Sequence, residues 1–208
     1  FYTRFSNRIT PDYLTDPQKI IYDNLDGHAV SKGISANIDF NFPNGLMVLA
    51  GGTLMENQII DKGIKSRPLL TERFSGTWSA SYLIPKFSLT IDYTGNVYSP
   101  MKLPTLGKLD PRSDESLWWS IQNIQLTLKP KNTNLEIYGG VKNLLDFTPA
   151  ANSIARANDP FDKNVIFDKY GKAQPSLSNP FALTFDPSYV YAPNQGIRGF
   201  LGIRWSLK

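Results

Sequence analysis

The stretch GIRGFLGIRWSLK, residues 196–208, decides how the rest of the chain is read. Counting from Gly196, one parity holds Ile197, Gly199, Leu201, Ile203, Trp205 and Leu207, and the other holds Arg198, Phe200, Gly202, Arg204, Ser206 and Lys208. A period of two is that of a β-strand, and here all the charge falls on one of its faces. The apolar face needs a cover from outside the strand.

The same alternation recurs upstream, while no window sustains a helical 3.6 period. It predicts strands at about 1–9, 29–41, 46–58, 73–84, 87–99, 117–129, 134–147 and 195–208, with a short extra strand over KIIYDNL. Ile34, Ala36, Ile38 and Phe40 alternate with Ser35, Asn37, Asp39 and Asn41, and Leu89, Ile91 and Tyr93 with Thr90, Asp92 and Thr94. Ile121 breaks the parity of Ile124, Leu126 and Leu128, which predicts a β-bulge near Gln122. Trp78, Tyr82, Tyr93, Trp205 and one of Trp118 and Trp119 are expected at the ends of apolar faces, where amphipathic rings favour a membrane interface.

Connectors sort by length. PNG at Pro43 to Gly45, PK at 85–86 and PKNT at 130–133 are tight-turn sequences. The connectors alternating with them are long, the longest running from Thr148 to Asn194. An up-and-down antiparallel sheet then has its tight turns at one end and its large loops at the other, the asymmetry of an outer-membrane barrel. The predicted fold is therefore all-β, made of about eight antiparallel transmembrane β-barrel strands.

Composition agrees. Of 208 residues, 41% are hydrophobic and 12% aromatic, with a mean hydropathy of -0.28 and no apolar run long enough for a membrane helix. The net charge of +4 comes from scattered Lys and Arg rather than a basic block, so no nucleic-acid partner is expected. There is no cysteine, which removes disulfides and thiolate metal sites. The single histidine, His28, has no Gly-x-Ser-x-Gly nucleophile to serve, so no enzyme and no catalytic residue is expected. The chain opens at Phe1 within a strand pattern, consistent with a cleaved signal or with a start inside a longer protein.

Two motifs go further. YGGVKNLLDF, from Tyr138 to Phe147, resembles the penultimate-strand signature of TonB-dependent outer-membrane receptors, with Val141, Asn143, Leu144, Leu145 and Asp146 on the signature positions. YAPNQGIRGFLGIRWSL resembles the closing strand of the same family, and FYTRFSNRI with NLDGHAVSKGISANIDFNFPNG resembles a strand pair of its barrel. The closing strands of such barrels usually end on an aromatic residue, whereas this one ends Ser206-Leu207-Lys208.

The resemblance implies that residues 1–208 are the C-terminal arc of a roughly 22-stranded barrel in the bacterial outer membrane. It also implies a receptor that binds a scarce nutrient, an iron complex such as a siderophore or a corrinoid, and imports it with energy delivered by TonB. Outer-membrane lipid, a plug domain, TonB and a small nutrient ligand are the implied partners, with no cofactor and no metal site. By parity, Arg4, Arg8, Glu136, Lys142, Arg198 and Arg204 are expected to face the lumen or the plug. In the long final loop, Arg156, Asp159, Tyr170, Tyr189 and Tyr191 are candidate ligand contacts. Asp159, Asp162, Asn164 and Asp168 lack the turn glycine of a calcium loop. Two other architectures share the alternation: a self-contained eight-stranded outer-membrane barrel with a structural or adhesive role, and a soluble carbohydrate-binding β-sandwich.

Overall fold

The computed structural model describes residues 1–12, 21–103, 113–149, 155–156, 165–170, 173–177, 182, 184–185, 191–193 and 195–206. Its strands are β1 (Tyr2–Ser6), β2 (Ile9–Asp12), β3 (Ile21–Asn24), β4 (Gly27–Asn41), β5 (Leu46–Asp61), β6 (Ile64–Ser66), β7 (Phe74–Ile84), β8 (Leu89–Tyr98), β9 (Trp119–Leu128), β10 (Leu135–Lys142), β11 (Ala155–Arg156), β12 (Ile166–Phe167), β13 (Ala173–Gln174), β14 (Thr184–Phe185) and β15 (Arg198–Trp205). All eight expected strands are present. A nine-stranded antiparallel sheet runs in the order β1-β4-β5-β7-β8-β9-β10-β15, with β6 pairing with β5. No helix occurs among the described residues.

The turns close as their residues dictate. Gly45, at φ 85°, donates its N–H to the Phe42 carbonyl at 3.0 Å, and Ser88 and Asn132 take φ 51° and 61° in the next two turns. At the other end β2 pairs with β3, so the expected short strand exists, and the connector after β5 folds back as β6 through Lys62 and Gly63, both at positive φ. Positive φ at both central residues matches the right-handed twist of a hairpin.

Directly opposed residues share a face, so the register assigns every strand. Phe40, Val48, Ala80, Tyr93, Ile124, Val141 and Gly199 form one continuous row on the apolar face. One position along, Asn41, Met47, Ser81, Asp92, Gln125, Gly140 and Phe200 cross the polar face. Cross-strand bonds hold that face, including Ser81 Oγ to Asp92 Oδ1 at 2.7 Å and Ser35 Oγ with Thr53 Oγ1 at 2.9 Å. The apolar face is bare: Ile34, Leu201 and Ile203 are 68%, 81% and 68% exposed. Among the described residues no second sheet packs on it, which does not fit a β-sandwich. Nor, among the described residues, does the sheet close on itself: β1 pairs with β4 and β15 with β10, and not with each other.

Four expectations are corrected. Arg4 does not share the polar face; it opposes Val30, on the parity of Ile34, whereas Phe5 opposes Ala29 on the polar side. The phenylalanines at 1 and 5 set the wrong parity for β1 because this part of the sheet lies beyond the apolar band, where Lys32 Nζ meets Glu56 Oε2 at 2.9 Å. No bulge interrupts β9, whose register is continuous from Trp119 to Leu128. Gln122 instead sits on the apolar face and accepts a 2.6 Å hydrogen bond from the Tyr93 hydroxyl. Trp78 and Tyr93 lie mid-strand rather than at the ends: Trp78 opposes Gly95, where a Cβ would stand 2.3 Å from the indole, so the glycine makes room for the ring. Trp119 faces inward, leaving Trp118 at the loop end with Phe74, ring centroids 6.0 Å apart, and Tyr82 and Trp205 at the turn end.

Candidate functional site

Off-parity Ile121 belongs to a cluster on the polar face at its loop end. Tyr98 on β8 opposes Trp119 on β9 with ring centroids 4.3 Å apart. Phe147 stacks on the indole at 5.9 Å and Tyr191 tilts against it at 6.4 Å, with Met101, Ile121 and Ala192 completing the patch. Trp119 is buried, and its Nε1 has no hydrogen-bond partner among the described residues. Burial pushes the phenol of Tyr191 above its ordinary pKa, so it is a neutral donor and acceptor near pH 7.

The NLLD motif fixes where the long segment leaves and re-enters the sheet. Asn143 is buried, with φ 54°, and its Nδ2 donates to the Phe147 carbonyl at 2.8 Å and to the Gln195 carbonyl at 3.1 Å. Its Oδ1 accepts the Phe147 N–H, and its own N–H goes to Asn123 Oδ1, both at 3.1 Å. Asp146, at φ 51°, accepts the Ile197 N–H at 2.7 Å through Oδ1. Asn and Asp are the non-glycine residues that best tolerate left-handed backbone, and their short side chains reach local backbone groups. The motif thus ties Phe147 to Gln195 and Asp146 to Ile197, forming a neck beneath the segment that contributes Tyr191.

Beside the neck, Lys142 opposes Arg198 on the polar face, and Lys142 Nζ lies 5.4 Å from the centre of the Phe200 ring. Further down the same strands Arg204 Nη1 meets Glu136 Oε1 at 2.9 Å and stacks over Tyr138, so that charge is compensated. Glu136, Lys142, Arg198 and Arg204 therefore share the polar face. Arg8 lies between β1's end and β2, over the Phe5 ring at 6.0 Å. Tyr98, Phe147 and Tyr191 form a partly buried aromatic rim around Trp119, and Lys142 and Arg198 form no ion pair among the described residues, so this end of the face suits a ring-bearing anion.

The loop candidates divide. Tyr191 is in the aromatic cluster, while Tyr170 is exposed, with Lys169 Nζ 4.9 Å above its ring. Arg156 lies in β11, paired with β14. Asp159 and Tyr189 lie outside the described residues, as do Asp162 and Asn164. Asp168 accepts the Tyr170 N–H at 2.8 Å and the Gln174 amide at 3.0 Å, and no cluster of metal-ligating side chains occurs among the described residues. Sequence reading missed Tyr98, Met101, Trp119 and Phe147; the parity break at Ile121 was the signal that pointed to them.

No family model and no curated protein sequence matches the chain. Solved structures do. The ferric yersiniabactin uptake receptor FyuA of Yersinia pestis aligns at a TM-score of 0.55 and 14% identity, over 76% of this chain and 23% of its own. The ferric enterobactin receptor PfeA of Pseudomonas aeruginosa, as its R480A variant with enterobactin, aligns at 0.54 and 16% identity, over 97% and 27%. The FrpB iron transporter of Neisseria meningitidis aligns at 0.55 and 10% identity, over 97% and 26%. At these identities the likeness establishes the fold: an arc of antiparallel strands like those in TonB-dependent iron receptors. The chain spans about a quarter of the length of the receptors it matches.

Proposed function

We propose that residues 1–208 form the C-terminal arc of the barrel of a TonB-dependent receptor in the bacterial outer membrane, importing an iron complex. The observation that carries the reading is the two-faced, unclosed sheet. Its apolar row crosses seven strands without a charge, and among the described residues both edge strands keep an unpaired side, where further strands of a barrel would add. The stretch Leu46–Leu54 extends for about 26 Å at ~3.3 Å per residue, the reach of a tilted strand across a hydrocarbon core. Lipid would cover Leu201 and Ile203, and the polar face would line a plugged lumen.

The aromatic rim and its neighbouring cations support a substrate class. Tyr98, Trp119, Phe147 and Tyr191 beside Lys142 and Arg198 suit an anionic, ring-bearing iron chelate. Two structural neighbours are named as receptors for ferric yersiniabactin and ferric enterobactin, which supports an iron complex as cargo. TonB and a plug domain are the partners this reading requires. The test is uptake of radiolabelled ferric siderophore by cells carrying the intact protein, as wild type, with Lys142→Glu and Arg198→Glu together, and with residues 150–190 deleted. Both variants are expected to assemble normally and lose most uptake. Normal uptake in both would refute the assignment of this end of the polar face to ligand.

A further inference from the structure

At the loop end of the apolar face, a groove of about 540 Å³ opens where β5 and β7 meet the connectors. Leu54, Phe74 and Trp118 form its apolar part, and Arg67, Arg73 and Glu115 its polar part. Leu54 and Trp118 are more than half exposed, although Trp118 packs on Phe74. Leu54 opposes Phe74, two residues along β5 from the row of Gly52 and Gly76 and four from that of Ala50 and Trp78. The groove therefore continues the apolar face, and whatever covers that face reaches into it.

Two arginines, Arg67 and Arg73, line it. Arg67 Nη1 donates to Glu115 Oε1 at 2.8 Å, and its Nη2 donates to the Thr71 and Pro100 carbonyls at 2.9 and 2.8 Å. These bonds fix the guanidinium and leave Nε–H and one Nη1–H without an acceptor among the described residues. Arg73 is exposed and forms no ion pair among the described residues. Against the single carboxylate of Glu115, the groove keeps an excess positive charge. Guanidinium groups match phosphate oxygens by paired N–H donors, and an aromatic-lined apolar floor under them matches an acyl chain.

We propose that this groove binds a net anionic, phosphate-bearing lipid of the surrounding bilayer, its phosphate against Arg67 and Arg73 and an acyl chain along Leu54, Phe74 and Trp118, in preference to a zwitterionic lipid. The proposal rests on the membrane reading given above. Arg73 makes the sensitive variant, because among the described residues its side chain forms no ion pair, whereas Arg67 ties two connectors together. The intact protein, purified in detergent from its native membrane, is titrated with lipid A, a diphosphorylated lipid, with phosphatidylcholine and with inorganic phosphate, and bound molecules are counted by native mass spectrometry. Lipid A is expected to be retained over phosphatidylcholine, with retention falling about tenfold in Arg73→Ala and largely restored in Arg73→Lys. Equal lipid A retention by wild type and Arg73→Ala overturns the proposal, as does inorganic phosphate competing as well as lipid A. Flotation with phosphatidylcholine vesicles separates the premise: protein that fails to incorporate into them, with or without Arg73, refutes the membrane reading itself.

Discussion

The two flanks of the sheet carry their cations on opposite faces. In the pair β10 and β15, Glu136, Lys142, Arg198 and Arg204 all project from the polar face, and the apolar face from Leu135 to Val141 is free of charge. In the pair β1 and β4, Arg4 and Lys32 stand on the parity of Ile34 and Ile38. The difference teaches that face and depth are separate variables. β10 and β15 lie within the apolar band, so parity alone sorts their residues. β4 and β5 outrun the band, and past the Lys32–Glu56 pair the outward parity is as polar as the inward one.

The largest expected effect tests the face. Leu201→Arg or Ile203→Arg should cost about 2–4 kcal/mol of barrel stability, as should Ile38→Arg on the opposite flank, read as loss of heat-resistant folded protein on gels. Val30→Arg, on the same parity as Ile38 but opposite Arg4, should cost only about 0–1 kcal/mol. Equal costs at positions 30 and 38 would break the distinction between face and depth.

The neck above β10 and β15 comes next. Asn143→Ala removes acceptor and donors from Phe147 and Gln195 and places alanine at a left-handed φ, a local cost of about 1–3 kcal/mol. Limited proteolysis should then cut the 148–194 segment faster while the strands stay protected. Unchanged cleavage would deny the motif its clamping role.

Arg204→Leu should be nearly silent, about 0–1 kcal/mol, because its partner Glu136 lies on a face where the arginine stays largely exposed. The smallest effect is a titration. The Tyr191 phenol has a raised folded-state pKa, so its contribution to stability is full below the unfolded value near pH ~10 and is lost as pH rises through the folded value. In a phenolate absorbance titration, the difference between wild type and Tyr191→Phe should come in above the range of ordinary tyrosines. A difference appearing within that range would mean the cluster around Trp119 is wetter than its packing implies.

Much of this was legible from residues alone. Alternation placed every long strand, because side chains on a pleat point to opposite faces and only a two-faced sheet needs that spacing. Turn chemistry at Gly45 and in the PKNT stretch sorted the connectors by end, and the parity of residues 196–208 put Arg198 and Arg204 opposite Leu201 and Ile203. What only the tertiary structure decided was register. Arg4 changed face because Val30, not an apolar neighbour in sequence, opposes it. Ile121 needed no bulge because Tyr98, Trp119 and Phe147 give it an apolar partner on the polar side. Asn143 and Asp146 became a clamp only when Gln195 and Ile197 came beside them. Periodicity is a property of one strand and is written along the chain. Which strand's residue stands opposite is set by pairing across dozens of positions, and no local pattern encodes it.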